Sequence, residues 1–572
     1  AAAISGAAAW LLRPAAPEPP LRRLEIPVTG IDRSFVSGRT VEISPDGTRV
    51  AWAIGNQIRI RPLDTLEPRE VQAAGNVAYI FWSPDSAWLA FSAGARLWKV
   101  AADGGEPVAI ADQDAGLQGG SGATWSPDGS IIMASGEGGL SSVPSQGGDV
   151  TSFLKQDPDK ESDIHQPEAL PDGSGVLFVP HQRSGRPDSL VLLSKGQKKE
   201  LFRIEGQTIW DPVYSPTGHI LFRREPKNPG IWALPFSLKT HEVTGDPFLV
   251  VQDGTMPSVS EDGTLVYVRG YGSRKCRLAI IDRDGKETAR LGGEEEYWPF
   301  PTLSPDGTKV AVSIKLDGAD DIWIYDIQRE TKTRLTFGAR LAGEPFWSRD
   351  GQWIYYHEGQ AGPPFNMFRK RVDGSGTPEP LGQGFRPTVT ADGRDLVFVE
   401  ESEKSKDTTY DIYYQDLQKK GEPVQLAKDP GIQYAARVSP DGTLVAYSST
   451  ESGAPEVFIR KFPAGDGKWQ VSVGGGGWAR WSRAGDRIYY ARGTGIYEVA
   501  ITRPNGGMQL SAPKLDFTTK GTGIPIPNGW DPGYDISPDG RTAVVMEPSA
   551  ETRPSSNIIV VENWISQFRG QH

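Results

Sequence analysis

The 572-residue sequence predicts an all-β protein, a propeller repeat of twelve four-stranded units that follows a short apolar helix. Three observations carry that prediction. A Ser-Pro-Asp-Gly turn recurs along the chain, an apolar residue recurs at a fixed distance before each turn, and no continuous helical periodicity appears after residue 20.

The turn is clearest at Ser304-Pro305-Asp306-Gly307. Proline's fixed φ suits the second position of a type I turn and glycine suits the fourth. After it come an alternating β-branched stretch (309–314), an Asp317-Gly318 turn signal, and residues 321–326, with Ile322 and Ile324 on one face and Trp323 and Tyr325 on the other. Taking the third turn position, intact or eroded, the series runs Asp46, Asp85, Asp128, Asp172, Thr217, Asp262, Asp306, Asp350, Asp392, Asp441, Ala484 and Asp539, mostly 42 to 45 residues apart. The residue two before the proline position is apolar in every unit: Ile43, Trp82, Trp125, Ala169, Tyr214, Val259, Leu303, Trp347, Val389, Val438, Trp481 and Ile536. Units of this length with about four short strands are propeller blades, none of which can bury its faces without neighbours. The 67 glycines and 46 prolines fit a chain that turns three or four times per unit.

The unit "S-P-D-G-x-x-[VI]-A" followed by "D-I-W-x-Y-D" resembles the WD40-like Pro-Asp propeller repeat of TolB and related bacterial proteins, over nearly the whole chain. The Gly-His and Trp-Asp markers of WD40 proper are missing. Residues 157–173, "DPDKESDIHQPEALPDG", and 557–568, "NIIVVENWISQF", resemble the extracytoplasmic regions of membrane-bound bacterial serine/threonine kinases. Six blades per ring is the TolB-like habit, so the resemblance implies two tandem six-bladed propellers, residues 21–284 and 285–572. A blade lacking its fourth strand would expose unpaired backbone groups. Residues 24–28 are therefore expected to close the sixth blade, and 286–291 the twelfth.

The net charge of −11 argues against a nucleic-acid role. Cys276 is the only cysteine, which forbids an intrachain disulfide and leaves the redox compartment open. Glycine-rich phosphate loop, His-Arg-Asp and Asp-Phe-Gly signatures are missing, and "GGSGA" (119–123) is the nearest string to a hydrolase elbow, so no catalytic residue is assigned. Asp157, Asp159, Glu161, Asp163 and Glu168 have calcium-loop spacing, but Ser162 stands where that loop needs glycine and Pro158 and Pro167 intrude. The six histidines have no ligand spacing. Neither metal nor cofactor is expected.

The candidate binding residues precede the inner strands, near a propeller's channel mouth: His165, Trp210 and Asp211 in the first ring, Trp298, Trp530 and Asp531 in the second. Aromatic rings beside carboxylates suit a peptide, sugar or protein terminus. The alternative is that they pack between blades. Residues 1–12 are apolar, too short for the roughly 20 residues a bilayer needs, and lead into a Pro-rich linker at 13–20. They read as the end of a membrane helix or as a helix docked on a partner. The expected function is a non-catalytic module for protein binding or scaffolding on the periplasmic or extracellular side of a bacterial membrane. The alternative is the ligand-sensing part of a transmembrane serine/threonine kinase whose kinase domain lies outside this chain.

Overall fold

The computed structural model describes residues 20–568 except 29–37, 76, 94–95, 113–120, 135–138, 158–159, 183–187, 206, 226–227, 270–274, 298–299, 317–318, 339–340, 361, 402–409, 420, 428, 453–454, 494, 505–506, 519–532 and 549–555. The proposed helix at 1–12, the linker at 13–19 and the candidates Trp298, Trp530 and Asp531 lie outside the described residues.

The described chain is all-β, ending in a short 3-10 turn at Trp564–Phe568. Its strands form antiparallel up-and-down sheets in chain order, as in Val41–Ile43, Arg49–Ile54, Gln57–Pro62 and Arg69–Gln72. Inner and second strands are β-branched or aromatic and buried on both faces: Lys309–Leu316 keeps five consecutive residues out of solvent. That is the pattern of a sheet stacked between two others.

The chain divides into two compact units, residues 1–272 with 554–572, and residues 273–553. In unit 1 the first strands of successive sheets pack in a cycle, Val41–Ile43 on Val77–Trp82, then Ala123–Trp125, Glu161–Ala169, Thr208–Ser215 and Gly254–Val259, which returns to Val41–Ile43. In unit 2, Thr302–Leu303 is followed by Ala342–Trp347, Phe385–Val389, Gln433–Val438 and Gly477–Trp481, and Tyr534–Ile536 packs back on Thr302–Leu303.

The unit boundary differs from the one read at Asp284-Gly285. Arg22–Val28 does run along the edge of the sixth sheet, but its partner is Ser556–Glu562, in the register Leu24 to Val560 and Ile26 to Ile558. That strand in turn pairs with Leu265–Arg269. Lys275–Asp282, the next strand in sequence, pairs with Thr542–Pro548 in unit 2 and carries Glu287–Tyr297 on its other edge. The sixth sheet of each unit thus takes its third strand from the far side of a chain crossing. Residues 557–568 belong to unit 1, where Trp564 is buried against Phe248 and His219.

The repeated turn is held by its own side chains. Ser304 Oγ donates to Asp306 Oδ1 (2.6 Å) and accepts from Lys309 N (2.9 Å), while Asp306 Oδ1 accepts from Thr308 N (3.0 Å). These hydrogen bonds, from Ser304 and then Thr308, hold the Asp306 carboxyl down to about 2. Gly307 has φ of 72°, and a Cβ there would lie 3.2 Å from Pro538 in the turn of the unit's sixth sheet. In unit 1 the corresponding Gly47 faces Asp262. Ser304→Ala removes two part-buried hydrogen bonds and is expected to cost about 2 kcal/mol, read as a lower urea midpoint for unit 2. Asp46, Asp85, Asp262, Asp350 and Asp441 are depressed in the same way. A carboxyl depressed on folding stabilises above its unfolded pKa and ceases to as pH falls through its folded value, so stability should drop between about pH 4 and pH 2.

Candidate functional site

Each unit's centre is built at one position of the repeat. The residue six before the turn Asp position has positive φ in nine units: Gly122, Gln166, Asp211, Met256, Glu344, Arg386, Ala435, Trp478 and Gly533. The register slips there, between His165 and Glu168, Trp210 and Val213, and Tyr434 and Arg437. In six units a proline follows (Pro167, Pro212, Pro257, Pro301, Pro345, Pro387), supplying no N–H that a ladder would need to satisfy. A left-handed non-glycine residue costs on the order of 1 kcal/mol, and its recurrence at one position marks a bulge that re-aims side chains.

In unit 1 the structure brings His165, Trp210 and Asp211 together across the strands Glu161–Ala169 and Thr208–Ser215. His165 lies 4.8 Å from the His181 ring and edge-on to Trp210 at 6.4 Å. Trp210 is 8% exposed, with His181 at 4.7 Å and the Arg223 guanidinium at 5.3 Å. Asp211, 5% exposed, accepts from Gln166 Nε2 (2.8 Å), returns its own N–H to Gln166 Oε1 (2.7 Å), and lies 3.7 Å from Arg223 Nε. These residues interlock neighbouring sheets.

Beside them is a charged cluster that the sequence reading passed over. Arg39 pairs with Glu42 (2.6 Å) and Glu168 (3.0 Å) and donates to Pro257 O (3.3 Å). Ser258 Oγ donates to the other Glu42 oxygen. Burial pushes Glu42 up to about 7, against the pull of Arg39 and with a further push from Glu168, which burial raises as well. Burial alone would lower the Arg39 guanidinium, but Glu42 and Glu168 more than reverse that. The acidic run at 157–168 is therefore shared out: Glu161 pairs with Lys198 (2.7 Å), Asp157 with Lys160 (2.9 Å), and Glu168 with Arg39. Among the described residues no three His, Cys, Asp or Glu side chains come together as metal ligands.

In unit 2 the same positions line a narrow central recess of ≈ 10 Å³, walled by Phe300, Trp478 and prolines 301, 345 and 387, with Glu344, Arg386, Arg437 and Arg480 facing it. Arg386 Nε donates to Glu344 Oε1 (2.8 Å) and its guanidinium stacks 4.6 Å from Trp478. Arg480 Nε donates to Asp535 Oδ1 (2.8 Å), which lies across from it on Tyr534–Ile536. Arg437 and Arg480 both stand four residues before the turn Asp position, in "AARVSPDG" and "WARWSRAG", a signal visible once the repeats are aligned on the turn.

The family model for the TolB beta propeller domain matches residues 257–409. Over those residues the chain is similar to the TolB propeller domain. An uncharacterized protein of Agrobacterium fabrum is 32% identical over 161 residues, 26% of this chain and 54% of the relative. The Tol-Pal system protein TolB of Francisella tularensis is 25% identical over 201 residues, 34% of this chain and 45% of the relative. The chain spans about half the length of these curated relatives. Among solved structures, a putative TolB from Agrobacterium tumefaciens shares 15% identity at a TM-score of 0.36, covering 48% of this chain and 99% of that one.

Proposed function

We propose that this TolB-like protein is a pair of closed six-bladed propellers acting as a non-catalytic protein-binding module on the extracytoplasmic side of a bacterial membrane. The reading rests above all on the convergence of aromatic and charged side chains from successive sheets at the centre of unit 1, where His165, Trp210 and Asp211 meet Arg223 and Gln166. The two packing cycles and the turn-to-turn contacts at Gly47 and Gly307 support ring closure. The relatives named for the Tol-Pal system support a role in a multi-protein assembly. Residues 1–12 would hold the chain to a membrane or partner, and Trp298, Trp530 and Asp531 would serve at the mouth of unit 2. Among the described residues no helix is long and apolar enough to cross a membrane.

A photo-crosslinking amino acid placed at His165 is expected to capture a discrete protein adduct in intact cells. The same group at Val424, on the exposed short strand Val424–Gln425, should not. Equal adducts at both positions, or none at His165, would refute docking at the unit 1 centre.

A further inference from the structure

Among the described residues, the centre of unit 2 holds more positive charge than its carboxylates neutralise. Arg386 is matched by Glu344 and Arg480 by Asp535. Arg437 donates from Nη1 to Ala436 O (2.9 Å) and lies 5.1 Å from the Phe346 ring, and among the described residues no carboxylate stands within ion-pair distance of it. His357, 3.6 Å from Glu344, adds no charge, because burial pushes its imidazole down. Among the described residues, three guanidinium groups thus face two carboxylates, which leaves one positive charge over. Arg437 is half-buried, so this charge keeps only part of its contact with water.

We propose that this recess binds a carboxylate anion, from a small acid or from the C-terminus of a peptide, and that Arg437 is the residue that meets it. The walls favour that chemistry. Pro301, Pro345 and Pro387 present no N–H, so at these wall positions the donors must come from guanidinium groups. Phe300 and Trp478 flank the recess with rings, and a flat carboxylate can take two parallel N–H bonds from a planar guanidinium. A monoanion brings the cluster to balance, whereas a phosphate dianion would leave excess negative charge beside Glu344 and Asp535. Burial and the neighbouring Arg480 already depress the Arg437 guanidinium to about 9, a penalty that a bound anion relieves. The proposal stands on unit 2 alone and does not require protein docking at His165.

The test is calorimetric titration of the full chain with acetyl-Ala-Ala bearing a free C-terminal carboxylate, the same peptide as its amide, acetate, and inorganic phosphate. The free acid is expected to bind at least tenfold tighter than the amide and to be displaced by acetate. Peptide acid tighter than acetate would assign a chain terminus, and equal affinities a small acid. Arg437→Gln should weaken the acid at least tenfold while leaving Tm unchanged or higher, since it removes an unmatched charge. Arg437→Lys, which keeps the charge but not the fork, should also bind more weakly. Equal binding of acid and amide, no binding of any carboxylate, phosphate binding tighter than either, or an Arg437→Gln chain with lowered Tm and intact affinity would overturn the assignment.

Discussion

A chain truncated after Arg553 is expected to lose the cooperative unfolding transition of unit 1 and keep that of unit 2. The segment removed supplies an interior strand, Ser556–Glu562, lying between Leu265–Arg269 and Arg22–Val28. Ile558, Ile559, Val560, Val561 and Trp564 are all buried. At about 2 kcal/mol for each large apolar side chain, removing them withdraws roughly 10 kcal/mol, comparable with the whole stability of a domain. Arg22–Val28 also loses its partner, and two sheet edges open. Unit 2 draws every strand from residues 273–553, so that fragment should fold alone. A fragment starting at Gly285 should not, because it lacks Lys275–Asp282, the interior strand of unit 2's sixth sheet. Scanning calorimetry of the three chains decides the matter. A truncated chain with both transitions intact would show that Ser556–Glu562 is dispensable to unit 1.

That swap shows where sequence reasoning stops. Turns are local, so twelve of them could be read from residues a few positions apart. Closure by residues 24–28 and 286–291 followed from the cost of an unpaired edge, which needs no knowledge of distant partners. The identity of the interior strand did not follow. "RLAIID" and "NIIVVE" share alternation, β-branching and flanking turns, and nothing in a strand's own pattern distinguishes which of two sheets with the same register demand it will join. The site was legible where one repeat held two telling residues side by side, as Trp210-Asp211 does. Arg386, Arg437 and Arg480 each stand singly in different repeats, and only the packing of successive first strands in unit 2 brings them to one recess, as Arg39 is brought to the centre of unit 1. The Gln166-Pro167, Asp211-Pro212, Glu344-Pro345 and Arg386-Pro387 pairs are the local trace of the bulge six residues before the turn.

Arg39→Ala is expected to destabilise unit 1 by about 3–5 kcal/mol at pH 8 and by much less at pH 5. Removing one partner of a buried pair costs more than the pair contributes, because the remaining charge is left without compensation. Here two carboxylates are left, Glu42 and Glu168, with Asp211 near them. The pH dependence follows from the sign of the shift. Glu42 titrates near 7 when folded and near 4.5 in an unfolded chain, so between those values the folded state binds the proton more tightly. Stability from this group is complete below about pH 4.5 and declines as pH rises through 7, by roughly 3 kcal/mol at most in the intact chain. Without Arg39 the carboxyl loses the interaction that lowers it, so the decline extends to higher pH and deepens. Protonation at pH 5 neutralises the group and removes most of the penalty. Glu42→Gln, which keeps the shape and an acceptor for Ser258, should flatten the intact chain's decline and restore part of the Arg39→Ala loss when combined with it. Urea titrations of unit 1 at the two pH values measure both effects. An Arg39→Ala loss of the same size at pH 5 and pH 8 would mean that packing by the arginine stem, not charge, holds this centre together.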